Sequence, residues 1–340
     1  MLRHWCSRLR PAAAGFAALG AMARIPAAAL ADAGGIGFWL PGGMGSLSAV
    51  PGQPGWSLTT LYLHLEANAG AGKELQNNAS VVTGLHARAD AVGVLPAYTF
   101  ATPVLGGQLT IGAAGVPGNA GISIGSTLTG PRGNQISGNA HDEQTTVGDV
   151  YYLGTLKWNQ GVNNYMWYVL GNIPSGTYDS TRLANLSPGY TAIDSGFGYT
   201  YLNPQTGHEL SAVAGFTYSG MNDALQYRNG IDLHFDWAMS QFVSKSVHVG
   251  LAGYVYQQIT GDSGAGARLG EFKGHSVGIG PQIGIFFPAW EGYMGYLNIR
   301  GYWDVVAENR PTTQTAMVTL SFAPAAPEKP ATPRGPRHLK

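Results

Sequence analysis

The sequence is short of most of what a soluble globular chain is built from. Charged residues fill 11% of its 340 positions, less than half the share of about 25% in an ordinary soluble domain. Formal net charge is zero and no long Lys/Arg run lies away from the two chain ends, which excludes a broad nucleic-acid surface. The one cysteine, Cys6, sits near the start; once the leader described below is removed, no disulfide or thiol chemistry is left. No apolar run reaches the roughly 18 uncharged residues of a membrane helix, and helical periodicity is almost missing.

Glycine is abundant instead, with 50 residues, and aromatics make up 11%. Between them runs a period of two. In 274–287 Val277, Ile279, Ile283, Ile285 and Phe287 alternate with Ser276, Gly278, Gly280, Gln282 and Gly284. Residues 292–306 and a last run ending at Phe322 repeat the pattern. Successive strand side chains take opposite faces, so each run has one apolar face and one polar or tiny face. Such segments, separated by turn residues, predict a transmembrane antiparallel β-barrel, an all-β fold. Further strands are expected at 56–68, 81–100, 108–129, 147–158, 162–172, 189–202, 208–219, 226–241 and 246–260, twelve with the closing three. Polar loops are expected at 130–143 and 173–187, and short turns at 159–161 and 203–207. An even strand count puts both ends of the barrel on the periplasmic side. A half-buried soluble sandwich also alternates, but its solvated faces would carry many Lys and Glu, whereas Gly, Ser, Thr and Gln prevail here.

Arg3, Arg8 and Arg10 precede the apolar stretch 11–22, and Ala-Leu-Ala-Asp-Ala (29–33) offers small-residue cleavage sites after Ala31 or Ala33. Residues 1–33 therefore read as a signal peptide. Residues 34–55 are too rich in Gly and Pro for a strand, yet Phe38, Trp39 and Leu40 are too apolar to dangle in the periplasm; the segment is expected to fold into the lumen as a partial plug. The barrel itself is expected over 56–322. In the tail, 323–340, Pro324, Pro327, Pro330, Pro333 and Pro336 recur every third residue, which favours a basic, extended polyproline II rod or a disordered extension.

Blocks of this sequence also resemble a known family. Gly253-Tyr254-Val255-Tyr256-Gln257-Gln258-Ile259-Thr260-Gly261-Asp262, Gly278-Ile279-Gly280-Pro281-Gln282, Glu308-Asn309-Arg310-Pro311 and Gly207-His208-Glu209-Leu210-Ser211 are similar to those of the "meta-pathway of phenol degradation" outer-membrane family. The resemblance spreads over most of 35–322. It implies an outer-membrane barrel that takes up aromatic or other hydrophobic compounds, and it carries no residue-level site. One departure is the tail beyond Phe322, where such a barrel often ends.

Candidate path residues follow from the polar faces. On the first strand Leu61, Leu63 and Leu65 are read as outward and Tyr62, His64 and Glu66 as inward. Asp232, His234 and Asp236 share one face of 226–241, and His248, Tyr254, Tyr256 and Gln258 line the next strand. Asn298, Arg300, Tyr302 and Asp304 follow, with Lys157, Asp194 and Glu209 as further inward charges. A wet lumen needs polar lining in any case; a selectivity or orientation ring is the functional alternative. Neighbours on the Asp232/His234/Asp236 face stand roughly 6.7 Å apart, wide for one ion, so no metal and no cofactor is expected. The tyrosines offer a solute ring apolar area with a polar tip. The partners implied are outer-membrane lipid and small hydrophobic solutes. The rival readings are a structural or adhesive barrel with a sealed lumen, and an outer-membrane lipid-active enzyme.

Overall fold

A computed structural model describes residues 37–74, 80–129, 133–267 and 273–326. The stretch read as a signal peptide (1–33) and the tail from 327 lie outside the described residues. Twelve strands form, the number that the alternation predicts: β1 (Gly55–Glu74), β2 (Ser80–Thr99), β3 (Gln108–Thr129), β4 (Gln135–Gln160), β5 (Asn163–Ile173), β6 (Ala192–Asn203), β7 (His208–Ser219), β8 (Asp232–Phe242), β9 (Val247–Gln258), β10 (His275–Trp290), β11 (Tyr293–Glu308) and β12 (Thr312–Pro324). Each pairs antiparallel with its sequence neighbours, and β1 pairs with β12 from Leu58↔Phe322 to Asn68↔Thr312, closing the barrel. Closure satisfies every ladder within the wall, which a sheet in hydrocarbon requires.

The short turns mark the periplasmic side. At 161–162 and 291–292 the chain reverses through Gly161 and Gly292, both at positive φ (70° and 76°), a conformation that costs glycine no Cβ clash. Near these turns Trp56 meets Tyr98 at 5.2 Å, and Trp290 meets Tyr293 and Phe322 at 5.0 Å each, an interfacial girdle. Above it the outer face exposes Trp167, Phe197, Phe216, Phe235, Leu251 and Ile299. A closed barrel with an apolar outer band and a ring of aromatics is built for a lipid bilayer. The protein is a bacterial outer-membrane barrel.

Three expectations are corrected. The polar stretch expected as a loop at 130–143 is mostly strand: β4 starts at Gln135 and pairs with β3 from Thr129↔Gln135 downward. Asn139, His141, Glu143 and Thr145 share the outer face with Val147, and the ladder simply continues above the lipid, where polar side chains suit it. A bulge between Gly115 and Pro117 lets the proline sit without breaking the hairpin. The strand expected from 226 begins at Asp232; Gln226 has φ 51° and Tyr227 turns inward into a cluster with Phe38, Tyr190 and Ala192.

The third correction concerns β1. Leu61 and Leu63 pack against the buried cluster of Tyr254, Tyr302 and Met317 inside the barrel, while Trp56, Leu58 and Tyr62 are exposed on the outside. Tyr62, His64 and Glu66 thus face outward. The lumen beside Leu61 and Leu63 is packed with apolar matter, and the outer face beyond Tyr62 emerges from the apolar band, so the polar side of the strand is the external one.

Candidate functional site

The inner wall works by pairing large side chains with glycines. Tyr168 and His234 lie over Gly215, Tyr254 lies over Gly278, and His248 over Gly284; a Cβ at any of these glycines would collide with the ring beside it. The tiny residues of the polar faces are therefore seats for neighbouring rings.

Those rings end in polar tips, and each tip is bonded. Asp194 accepts from Tyr168 Oη (2.6 Å), Thr217 Oγ1 (2.6 Å) and His234 Nε2 (2.9 Å). Tyr256 donates to Asp232 at 2.6 Å and Tyr254 to Asp304 at 2.6 Å. His248 Nε2 meets Tyr296 Oη at 3.0 Å, Gln258 Nε2 donates to Asp262 at 2.6 Å, and Asn298 Nδ2 donates to the Ile283 carbonyl at 3.2 Å. Buried polar groups hold a fold together only when partnered in this way. These residues are cross-braces of the wall rather than a free ring of charges.

The remaining inward charges grip the N-terminal arm, residues 37–53, which runs inside the barrel before β1. The backbone N–H groups of Gly42 and Met44 donate to the two oxygens of Asp236, each at 3.0 Å. Arg300 donates to the Gly43 carbonyl at 2.8 Å and Tyr302 to that of Gly42 at 3.1 Å. Glu209 accepts from Ser46 Oγ (2.8 Å) and Leu47 N (3.0 Å), Thr200 from Ala49 N (3.1 Å), and Lys157 donates to the Val50 carbonyl (3.3 Å). Gln282 Nε2 donates to Ser46 Oγ at 2.8 Å. The anchors come from β4, β6, β7, β8, β10 and β11, so the arm crosses the lumen from wall to wall.

Its tip is held differently. Trp39 stacks on His234 with ring centroids 3.5 Å apart and 13° between planes, and tilts against Tyr168 at 6.1 Å. Met166 and Val213 complete the cradle. Phe38 stacks on Tyr151 at 5.7 Å. Leu40 and Pro41 border a cavity of about 30 Å³ that is also lined by Leu65, Tyr254, Asp304 and Arg310. Sequence reasoning missed Tyr151, Met166 and Tyr168; their inward parity in β4 and β5 was the signal available.

The residues expected inward on β1 form a separate cluster outside. Asp90 accepts from Tyr62 Oη (2.8 Å), His64 Nδ1 (2.8 Å) and Arg88 Nε (2.7 Å), and Glu66 lies 3.7 Å from His64 Nε2. None of these reaches the lumen.

On the extracellular side the connection 174–191 folds over the opening. Asp142 accepts from Arg182 Nη2 (2.5 Å) and from the N–H groups of Leu183 and Ala184 (3.0 Å each), and Asp149 accepts from Ser187 Oγ (2.5 Å) and Gly176 N (3.0 Å). Ala184 packs with Ala120 and Ile122. Within the loop, the hydroxyl and N–H of Thr181 hold the Asp179 carboxyl below its ordinary value.

A closed barrel with an internal arm and an aromatic inner wall defines the class of outer-membrane β-barrels. Residues 71–320 match the family described as "Putative MetA-pathway of phenol degradation". The match spans well over half of the chain, and the protein belongs to that family. Among solved structures, the COG4313 outer membrane channel from Pseudomonas putida F1 superposes with a TM-score of 0.56 at 13% identity, over 80% of this chain and 96% of that one. This likeness establishes the fold alone. A Pseudomonas aeruginosa FadL homologue (TM-score 0.40, 9% identity, 88% and 98% covered) and the CymD monoaromatic hydrocarbon channel (0.32, 6%, 81% and 90%) are similar more loosely. No curated protein matches the sequence.

Proposed function

We propose that the barrel passes small hydrophobic, principally aromatic, compounds inward across the outer membrane by diffusion, without ATP and without catalysis. The observation that carries this reading is the row of buried rings on the inner wall, Tyr168, Tyr254, Tyr256 and Tyr302, each an apolar face with a bonded polar tip. A path of that kind offers a ring many weak contacts and few traps. The family's description, which concerns phenol degradation, points to the same solutes. Lipid covers the outer band, and the arm acts as a partial plug that sets how far the lumen opens.

Flux tests this directly. Proteoliposomes holding the protein should take up toluene or phenol faster than protein-free vesicles, and deletion of residues 37–50 should raise conductance in planar bilayers. A second reading, a structural barrel with a sealed lumen, is favoured by the wall-to-wall anchoring of the arm. Uptake equal to that of protein-free vesicles, with and without the arm, would decide for it.

A further inference from the structure

The arm consists of two parts held by different forces. From Gly42 to Val50 its main chain is bonded to Asp236, Arg300, Tyr302, Glu209, Thr200 and Lys157. Phe38 and Trp39 at the tip are held by ring contacts. Trp39 is nearly fully buried, yet its indole Nε1 has no hydrogen-bond partner among the described residues. A buried N–H left without an acceptor costs free energy that the same group would not lose in water. Tip and base meet at Pro41-Gly42-Gly43, where Gly42 has φ 73° and the small cavity beside Leu40 and Pro41 leaves room on one side.

The cradle around Trp39 is built of fixed parts. His234 lies flat against the indole, with its orientation fixed by Asp194; Tyr168, also fixed by Asp194, flanks it, and Met166 and Val213 supply apolar walls. Gly215 keeps the space in which His234 and Tyr168 stand. This geometry takes a flat ring, favouring face-on contact over bulk. His234 Nδ1 is buried beside it without a partner among the described residues.

We propose that Trp39 is a built-in stand-in for the solute: the cradle of Tyr168, His234, Met166 and Val213 binds a small aromatic ring, which displaces the indole and swings the tip 38–41 about Gly42-Gly43 while the base stays pinned. The inference rests on the aromatic-uptake reading for its solute and adds the site and the device. A flat ring that fills the cradle removes the penalty of the unpartnered indole N–H, because the released Trp39 reaches water. An aliphatic solute of similar size lacks the face that His234 stacks on. The charged anchors of the base have no contact with the solute, so displacement stops at the hinge.

The test is solute-dependent exposure of the tip. In a Cys6→Ser background, Leu40→Cys places a thiol on the tip, and its labelling by a membrane-impermeant maleimide is followed in purified full-length protein. Toluene should raise the labelling rate saturably by about tenfold or more, as expected when a ligand makes a minor conformer dominant, whereas cyclohexane should leave it unchanged. Adding Trp39→Ala should give fast labelling with no solute present. A second thiol, in Ser48→Cys on the pinned base, should stay slow under all conditions and reports that the barrel is intact. Labelling that toluene does not change, or that cyclohexane raises equally, overturns the proposal. Solute uptake by wild-type protein without tip release would overturn the masked site and leave the channel reading standing. Tip release by toluene without uptake would do the reverse.

Discussion

Strands β1 and β8 alternate in the same way and orient their patterns oppositely. In β8 the polar set, Asp232, His234 and Asp236, is buried inside and Phe235 is exposed to lipid. In β1 the polar set, Tyr62, His64 and Glu66, stands outside, and Leu61 and Leu63 join the internal cluster. The difference lies in what each strand meets. β8 faces the arm's main chain, whose N–H groups need an acceptor, and Asp236 supplies it. β1 faces Tyr254, Tyr302 and Met317 together with Leu40 of the arm's tip, which need apolar partners. Its outer face, above Trp56 and Leu58, soon leaves the hydrocarbon. Inside and outside are thus chemical labels that change along one barrel.

Charge substitution on β8 should produce the largest effect. Phe235→Arg puts a cation into lipid near mid-strand and should cost about 2–4 kcal/mol of barrel stability. Urea unfolding from vesicles measures it; a loss no larger than that of Arg88→Ala would reverse the assigned faces of β8. On β1 the ordering of neighbours is the sensitive quantity. Leu63→Ala should cost about 2 kcal/mol, at the low end for a core leucine because the site is only partly buried. His64→Ala should cost less than about 1 kcal/mol, since it removes only contacts to Asp90 and Glu66 on the outer surface. Were His64→Ala the costlier of the two, β1 would have to be turned round.

Asp236→Ala separates the wall from the arm. It strips two N–H groups of their acceptor, a local loss of about 1–3 kcal/mol, and hydrogen exchange at Gly42 and Met44 should accelerate while the β8 ladder stays protected. Equal acceleration throughout β8 would make Asp236 a brace of the wall instead. The smallest effect belongs to the loop. The Asp179 carboxyl has its folded pKa lowered from 3.8, so the stability it lends is present above pH 3.8 and disappears as pH falls through the lower folded value. Amide exchange at Thr181 should therefore be flat from neutral pH down to about pH 4 after correction for intrinsic rates, and rise only below it. A rise centred on the histidine range would assign the loop's order to another group.

Much of the candidate site was visible as residue types and little as partnerships. Asp236, Arg300, Tyr302 and Glu209 stand out in the sequence as inward polar residues. Their partners are main-chain atoms of Gly42, Gly43 and Leu47, far away along the chain, and a backbone N–H or carbonyl carries no residue signature. Tyr168 and Met166 carry a weaker signal in the sequence, because they alternate with Trp167, whose ring marks the opposite, lipid-facing side. The first part of β4, from Gln135 to Glu143, reads as loop in the sequence because its polarity resembles that of a connection, although backbone pairing is indifferent to which solvent bathes the outer face.

By itself the sequence determined that the wall is a β-barrel of twelve strands, because a period of two repeated between turn residues has no other closed, edge-free solution in a membrane. It also determined that each strand has two unlike faces. Only the tertiary structure decided which face of β1 is internal, where Phe38 and Trp39 lodge, and that the buried charges bind a backbone. The physical reason is that alternation specifies parity and leaves its sign open. The sign is set by the media on the two sides, and on the inner side that medium is the protein's own arm.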